Sequence, residues 1–82
     1  MNPTFALVRI APAIKLLAES RSSFYQKSAL GVMPVPIKTG LRSAALPVRE
    51  IDALNQARIA GYSEAGMRAL VTKLHAERVI SA

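Results

Sequence analysis

The spacing of apolar and polar residues along the chain predicts four short helices and one small hairpin. Met1 to Thr4 show no pattern and read as a loose end, whereas Phe5 to Ile10 are rich in residues that suit an extended segment. Pro12 fits the first turn of a helix running to about Ala18, with Ala13, Ile14, Leu17 and Ala18 on one face. Lys15 and Glu19 stand one turn apart and are spaced to pair weakly at its surface. After a tight turn around Ala18 and Glu19, Ser20 can cap a second helix through its hydroxyl, and Gly31 offers a stop. On that helix Phe24 and Ser28 share one face, while Ser22, Tyr25, Gln26 and Ala29 look the other way. Only Phe24, Ala29 and Leu30 are apolar between the two signals, so the helix has little to bury and Phe24 is its core anchor.

Pro34 and Pro36 forbid helix and favour an extended, turning path through Val32 to Pro36. Ile37-Lys38 and Ala44-Ala45-Leu46 then flank Thr39-Gly40-Leu41-Arg42-Ser43, a connection with a glycine that reads as a hairpin with a cationic tip. A third helix is expected from about Pro47 to Ala60, with Val48, Ile51, Leu54 and Ile59 available for the core and Gly61 at its end. Ser63-Glu64 opens a fourth to about Val79, where Met67, Leu70, Val71 and Leu74 form a stripe at i, i+3, i+4 and i+7.

Eighty-two residues allow one domain with a small core, and four aromatics without Trp favour a helical core over a sandwich. Charge changes the picture more. The net charge is +6, and up to Leu46 the cations Arg9, Lys15, Arg21, Lys27, Lys38 and Arg42 face Glu19 as the single acid. A basic half of a small protein points to a polyanion, most often nucleic acid; a protein merely kept soluble by its charge is the plain alternative. Two short helices joined by a tight turn, the second polar and basic, form a helix-turn-helix candidate.

Other chemistry finds little support. There is no cysteine for a disulfide or thiolate metal site, and His75 has no Asp or Glu partner at ligand spacing, so no metal and no cofactor is expected. No Ser-His-Asp, paired-carboxylate or glycine-rich phosphate-loop arrangement occurs, and the chain reads as not an enzyme. The apolar run Phe5 to Val8 is broken by Arg9, Pro12 and Lys15, too short for a signal-peptide core, and nothing approaches a membrane span; a cytoplasmic protein is expected.

Taken together, these fragments resemble the AlpA-type prophage regulators and related excisionases, small proteins of the MerR-like winged helix-turn-helix group. The resemblance covers about Val8 to Ala60. Its most specific parts are Ser20-Arg21-Ser22-Ser23-Phe24-Tyr25, Gly31 followed by Met33-Pro34-Val35-Pro36-Ile37-Lys38, and Gly40 with Arg42-Ser43 before Glu50-Ile51-Asp52-Ala53. It implies a mainly α fold: a winged helix-turn-helix domain over 1–61 with a short β-hairpin wing, and a C-terminal amphipathic helical extension over 62–82. That extension either covers apolar surface on the first and third helices or pairs with a second copy. The implied activity is binding of double-stranded DNA as a transcription regulator or as an excision directionality factor, with the helix over about 20–31 in the major groove and the wing over about 37–46 at the minor groove or backbone. The turn departs from the family, which commonly has Thr-Gly-Leu-Ser where this chain has Leu17-Ala18-Glu19-Ser20. Losing the glycine and an apolar anchor there leads to the expectation of a second helix held less firmly than in its relatives.

Within that frame Arg21 is positioned for a phosphate or a guanine edge, and Gln26 for a bidentate contact to adenine. Ser20, Ser22 and Ser23 serve as caps and, with the free amides there, can also meet a phosphate. Tyr25 either contacts backbone through its hydroxyl or covers the core, and Lys27 suits a phosphate. In the wing Lys38 and Arg42 are the expected contacts, Arg42 preferred for a narrow minor groove and Ser43 supporting it. Arg49, Arg9 and Lys15 are weaker candidates. The competing reading from another class is a protein-interaction module whose working surface is the fourth helix.

Overall fold

The computed structural model describes residues 6–78, so the expectations placed on Met1 to Phe5 and on the last residues from Val79 lie outside the described part. In chain order the elements are β1 (Leu7–Arg9), α1 (Ile10–Leu16), α2 (Arg21–Ala29), β2 (Ile37–Lys38), β3 (Ala44–Pro47), α3 (Val48–Ile59) and α4 (Glu64–Glu77). This is a small, mainly helical domain with a three-stranded antiparallel sheet. The strand order is β1-β3-β2, so the strand that closes the hairpin is also the centre of the sheet. Val8 lies opposite Leu46 and Arg9 opposite Ala45, while Lys38 lies opposite Ala44 on the other side. Pro47 has no N–H to donate, and the amide of Val48 continues toward β1 instead, 2.9 Å from the Ala6 carbonyl.

One apolar cluster joins all four helices. Ala13, Ile14 and Leu17 from the first helical segment meet Phe24 of α2, Met33, Leu46 of β3, Ile51, Leu54 and Ala57 of α3, and Met67, Val71 and Leu74 of α4. Two expected core positions are corrected. Ile59 is 87% exposed and Ala57 takes its place. The reason is Glu50, which is fully buried and sets the inward face of α3. At 3.6 residues per turn, Ile59 lies about 180° around the helix from it. Ala18 is exposed as well, because α1 has already ended.

Three helices end in the same way. The amides of Gly31 and Val32 bond to the carbonyls of Ser28 and Lys27, those of Gly61 and Tyr62 to Arg58 and Ala57, and those of Ala18 and Glu19 to Lys15 and Ile14. This is the paired 5→2 and 6→1 arrangement of a Schellman closure, which needs a left-handed residue just past the helix. Gly31 and Gly61 supply it with φ of +82°, and Ala18 supplies it with φ of +56° although it carries a Cβ.

The last turn of α4 ties the hairpin to the body. In Pro34-Val35-Pro36 only Val35 has an N–H, and it donates to His75 Nε2 at 3.1 Å. The Val35 carbonyl accepts from Arg78 at 2.8 Å, so both backbone polar groups of that residue are held by one helix end. The same Arg78 grips the buried Glu50 carboxylate through two hydrogen bonds of 2.7 Å.

Candidate nucleic-acid interface

The short α2 helix stands on two anchors. Phe24 is its one fully buried side chain, and Ser20 caps its first turn by accepting from the Ser23 amide at 3.1 Å. Beneath the turn lies Glu19, whose side chain is only 4% exposed. Its carboxylate accepts from the Ser23 hydroxyl at 2.7 Å, from the Lys27 ammonium at 2.8 Å and from Arg58 of α3 at 2.5 Å. Arg58 also donates to the Leu17 carbonyl, and Asn55 of α3 donates to the Leu16 carbonyl at 3.0 Å. The orphan carbonyls at the end of α1 are thus satisfied by the neighbouring helix.

Burial alone would push the Glu19 carboxyl up. The hydrogen bonds from Lys27 and Ser23, with the positive charges of Lys27 and Arg58, outweigh it and hold the group below the ordinary glutamate range. The expected Lys15–Glu19 surface pair is replaced by this arrangement, since Glu19 turns inward to Lys27 and Arg58 while Lys15 stays exposed. At the turn where an apolar anchor was missing, an ionic one stands.

With the single acid of the basic half committed beneath the helix, the outer face of α2 is left to Arg21, Ser22, Tyr25 and Gln26, all exposed. Two of these side chains, Tyr25 and Arg21, stack on one another. Tyr25 meets the buried Phe24 ring edge to face, with centroids 5.2 Å apart, and the Arg21 guanidinium sits 5.9 Å from the Tyr25 centroid. Tyr25 therefore both covers the core and presents an exposed edge beside Arg21. Ser23 and Lys27 differ from their neighbours, for their polar groups turn back to Glu19.

In the hairpin Lys38, Arg42 and Ser43 are exposed, and the connection is closed by the Thr39 amide donating to the Ser43 carbonyl at 3.0 Å. The sheet carries Arg9 to the same place, where a cleft is lined by Arg9, Pro12, Arg42 and Ser43. Among the described residues Arg9, Arg21, Lys38 and Arg42 make no ion pair. Arg49 points elsewhere and donates to the Glu77 carbonyl at 3.1 Å.

Sequence reasoning missed Arg58, which fixes the turn before α2, and the pairing of Arg9 with the hairpin. No local pattern announces either, because the partners are joined only by the tertiary fold. Among the described residues no group of three His, Cys, Asp or Glu side chains is placed to hold a metal ion, and no helix is long and apolar enough to cross a membrane. In comparisons with known proteins, no family model, no curated protein and no solved structure matches the chain.

Proposed function

We propose that this protein is a sequence-specific double-stranded DNA-binding regulator built as a winged helix-turn-helix. In this reading α1, the Ala18–Glu19 turn and α2 are the helix-turn-helix, α2 enters the major groove, and the β2–β3 hairpin is a wing against the neighbouring minor groove or backbone. One observation carries it: α2 buries Phe24 alone and turns Arg21, Ser22, Tyr25 and Gln26 outward as an exposed polar face. Arg21 and Gln26 have the donor geometry for bases or phosphates, and the serines are small enough to let the helix approach a groove floor. Arg21, Lys38 and Arg42, which meet no carboxylate among the described residues, supply the attraction to backbone. The outcome of binding is regulation of transcription or direction of excision, both of which occupy DNA without a catalytic step. The competing reading, a module that docks partners on α4, is weakened because Met67, Val71 and Leu74 lie in the shared core.

Selection of bound sites from random duplexes, followed by titration of the preferred site, tests this. Replacing Gln26 with Ala relaxes preference at one base position, whereas Lys38→Ala weakens binding evenly across sequences and lowers the slope of log affinity against log salt by about one. Unchanged affinity in the Arg21→Ala, Gln26→Ala, Arg42→Ala triple variant would falsify the proposal.

A further inference from the structure

The cleft between the start of α1 and the hairpin gathers two cations from segments more than thirty residues apart in the chain. Its walls are Arg9, Ile10, Ala11 and Pro12 on one side and Arg42, Ser43 and Ala44 on the other. Both arginines are exposed, and neither meets a carboxylate among the described residues. The positions are held by the backbone. Arg9 lies opposite Ala45 in the β1–β3 pair, and the Thr39–Ser43 hydrogen bond closes the loop that carries Arg42.

Two arginines lining one cleft without a carboxylate between them concentrate positive charge there, a situation that an oxyanion relieves. A guanidinium presents a planar fork that matches a phosphate through two parallel hydrogen bonds, and a serine hydroxyl adds a donor of a second kind. We infer that Arg9, Arg42 and Ser43 together seat one phosphodiester group of the duplex backbone. This rests on the DNA-binding reading above and refines it. Arg42 then works as half of a phosphate clamp with Arg9 and does not probe the minor-groove floor. A clamp of this kind fixes the register of the hairpin on the backbone and carries no base preference of its own.

The experiment uses the full chain and a selected duplex in which single phosphates are replaced, one at a time, by neutral methylphosphonates. The wild type is expected to lose about tenfold in affinity at each contacted phosphate, the scale of a lost charge-assisted contact, and one of those positions is the seat. Arg9→Gln and Arg42→Gln each weaken binding to the unmodified duplex, and the double variant becomes indifferent to that same methylphosphonate. Because one phosphate is shared, the double variant lowers the salt slope by about one, where two separate contacts would lower it by about two. Thermal melts of both variants match the wild type, as expected for exposed side chains. A slope change of two, Arg9→Gln and Arg42→Gln silencing two different phosphate positions, or an Arg9→Gln variant that binds like the wild type overturns the shared seat and leaves the DNA reading standing. A flat methylphosphonate panel combined with inorganic phosphate shifting the Arg9 and Arg42 side-chain resonances overturns the assignment to duplex backbone. Failure of the wild type to bind any duplex overturns the functional reading itself, and the seat with it.

Discussion

A single residue, Ala18, shows how local geometry outlasts the residue best suited to it. The closure of α1 matches those of α2 and α3 bond for bond, but it places an alanine at φ of +56° where the other two place glycine at +82°. A left-handed L-residue costs about 1–2 kcal/mol, part of which glycine would return through the greater freedom of its unfolded chain. Ala18→Gly is therefore expected to stabilise the protein by up to about 1 kcal/mol, seen as a rise of several degrees in melting temperature for a domain of this size. A lower melting temperature would mean that the alanine methyl makes a contact worth more than the backbone strain. The turn itself was legible because its length and the capping Ser20 are local. The left-handed state of Ala18 was not, since nothing in an alanine announces it.

At the scale of elements, α2 is a helix too polar to hold itself in place, and the Glu19 carboxylate supplies part of what its packing lacks. Lys27 and Arg58 are 41% and 33% exposed, so their share is screened by water, whereas the carboxylate they meet is almost wholly enclosed. Glu19→Gln is expected to cost about 1–2 kcal/mol at neutral pH, measured by urea unfolding. The sign with pH follows from a folded carboxyl that titrates below its unfolded counterpart. The stabilisation is fully present above the unfolded value of about 4.3 and fades as pH falls through the lower folded value. The gap between wild type and variant should close over that acidic window, and a gap of equal size at pH 7 and pH 3 would contradict the account. The helix, its cap and its outward face could be read directly because Ser20, Phe24 and Gly31 act over short range. The clamp could not, for Arg58 lies 39 residues from Glu19 and reaches it only after α3 packs against the turn. The same limit hid the β1–β3 pairing, and with it the meeting of Arg9 and Arg42. Counting only apolar residues placed Ile51 and Leu54 correctly but also put Ile59 on the inward face of α3, which a buried glutamate shares instead.

Over the whole molecule the question is what makes four weak elements one cooperative unit, and α4 answers it from two directions. Its apolar side enters the common core through Met67, Val71 and Leu74, and its last turn holds both polar groups of Val35, just before the hairpin. Arg78 joins these roles, because the guanidinium that reaches the Val35 carbonyl also makes both hydrogen bonds to Glu50, a carboxylate with no exposure to water. A domain of 82 residues has a folding free energy in the region of about 5 kcal/mol, so one stranded charge in its core is a large fraction of the total. Arg78→Met keeps most of the side-chain volume but leaves Glu50 unpaired, and is expected to destabilise the fold by about 3 kcal/mol or more. Combining it with Glu50→Met removes the stranded charge along with its partner, and should recover much of the loss, since replacing a buried pair by apolar groups of similar size is often close to neutral. Urea midpoints of the wild type, both single variants and the double variant test this as a cycle, provided that the dependence on urea stays the same. Additive losses in the double variant would mean that Arg78 acts only through Val35 and that Glu50 is satisfied without it. Recovery would identify the pair as the link by which α4 sets the position of the hairpin, and so of Lys38 and Arg42, relative to the core that carries α2.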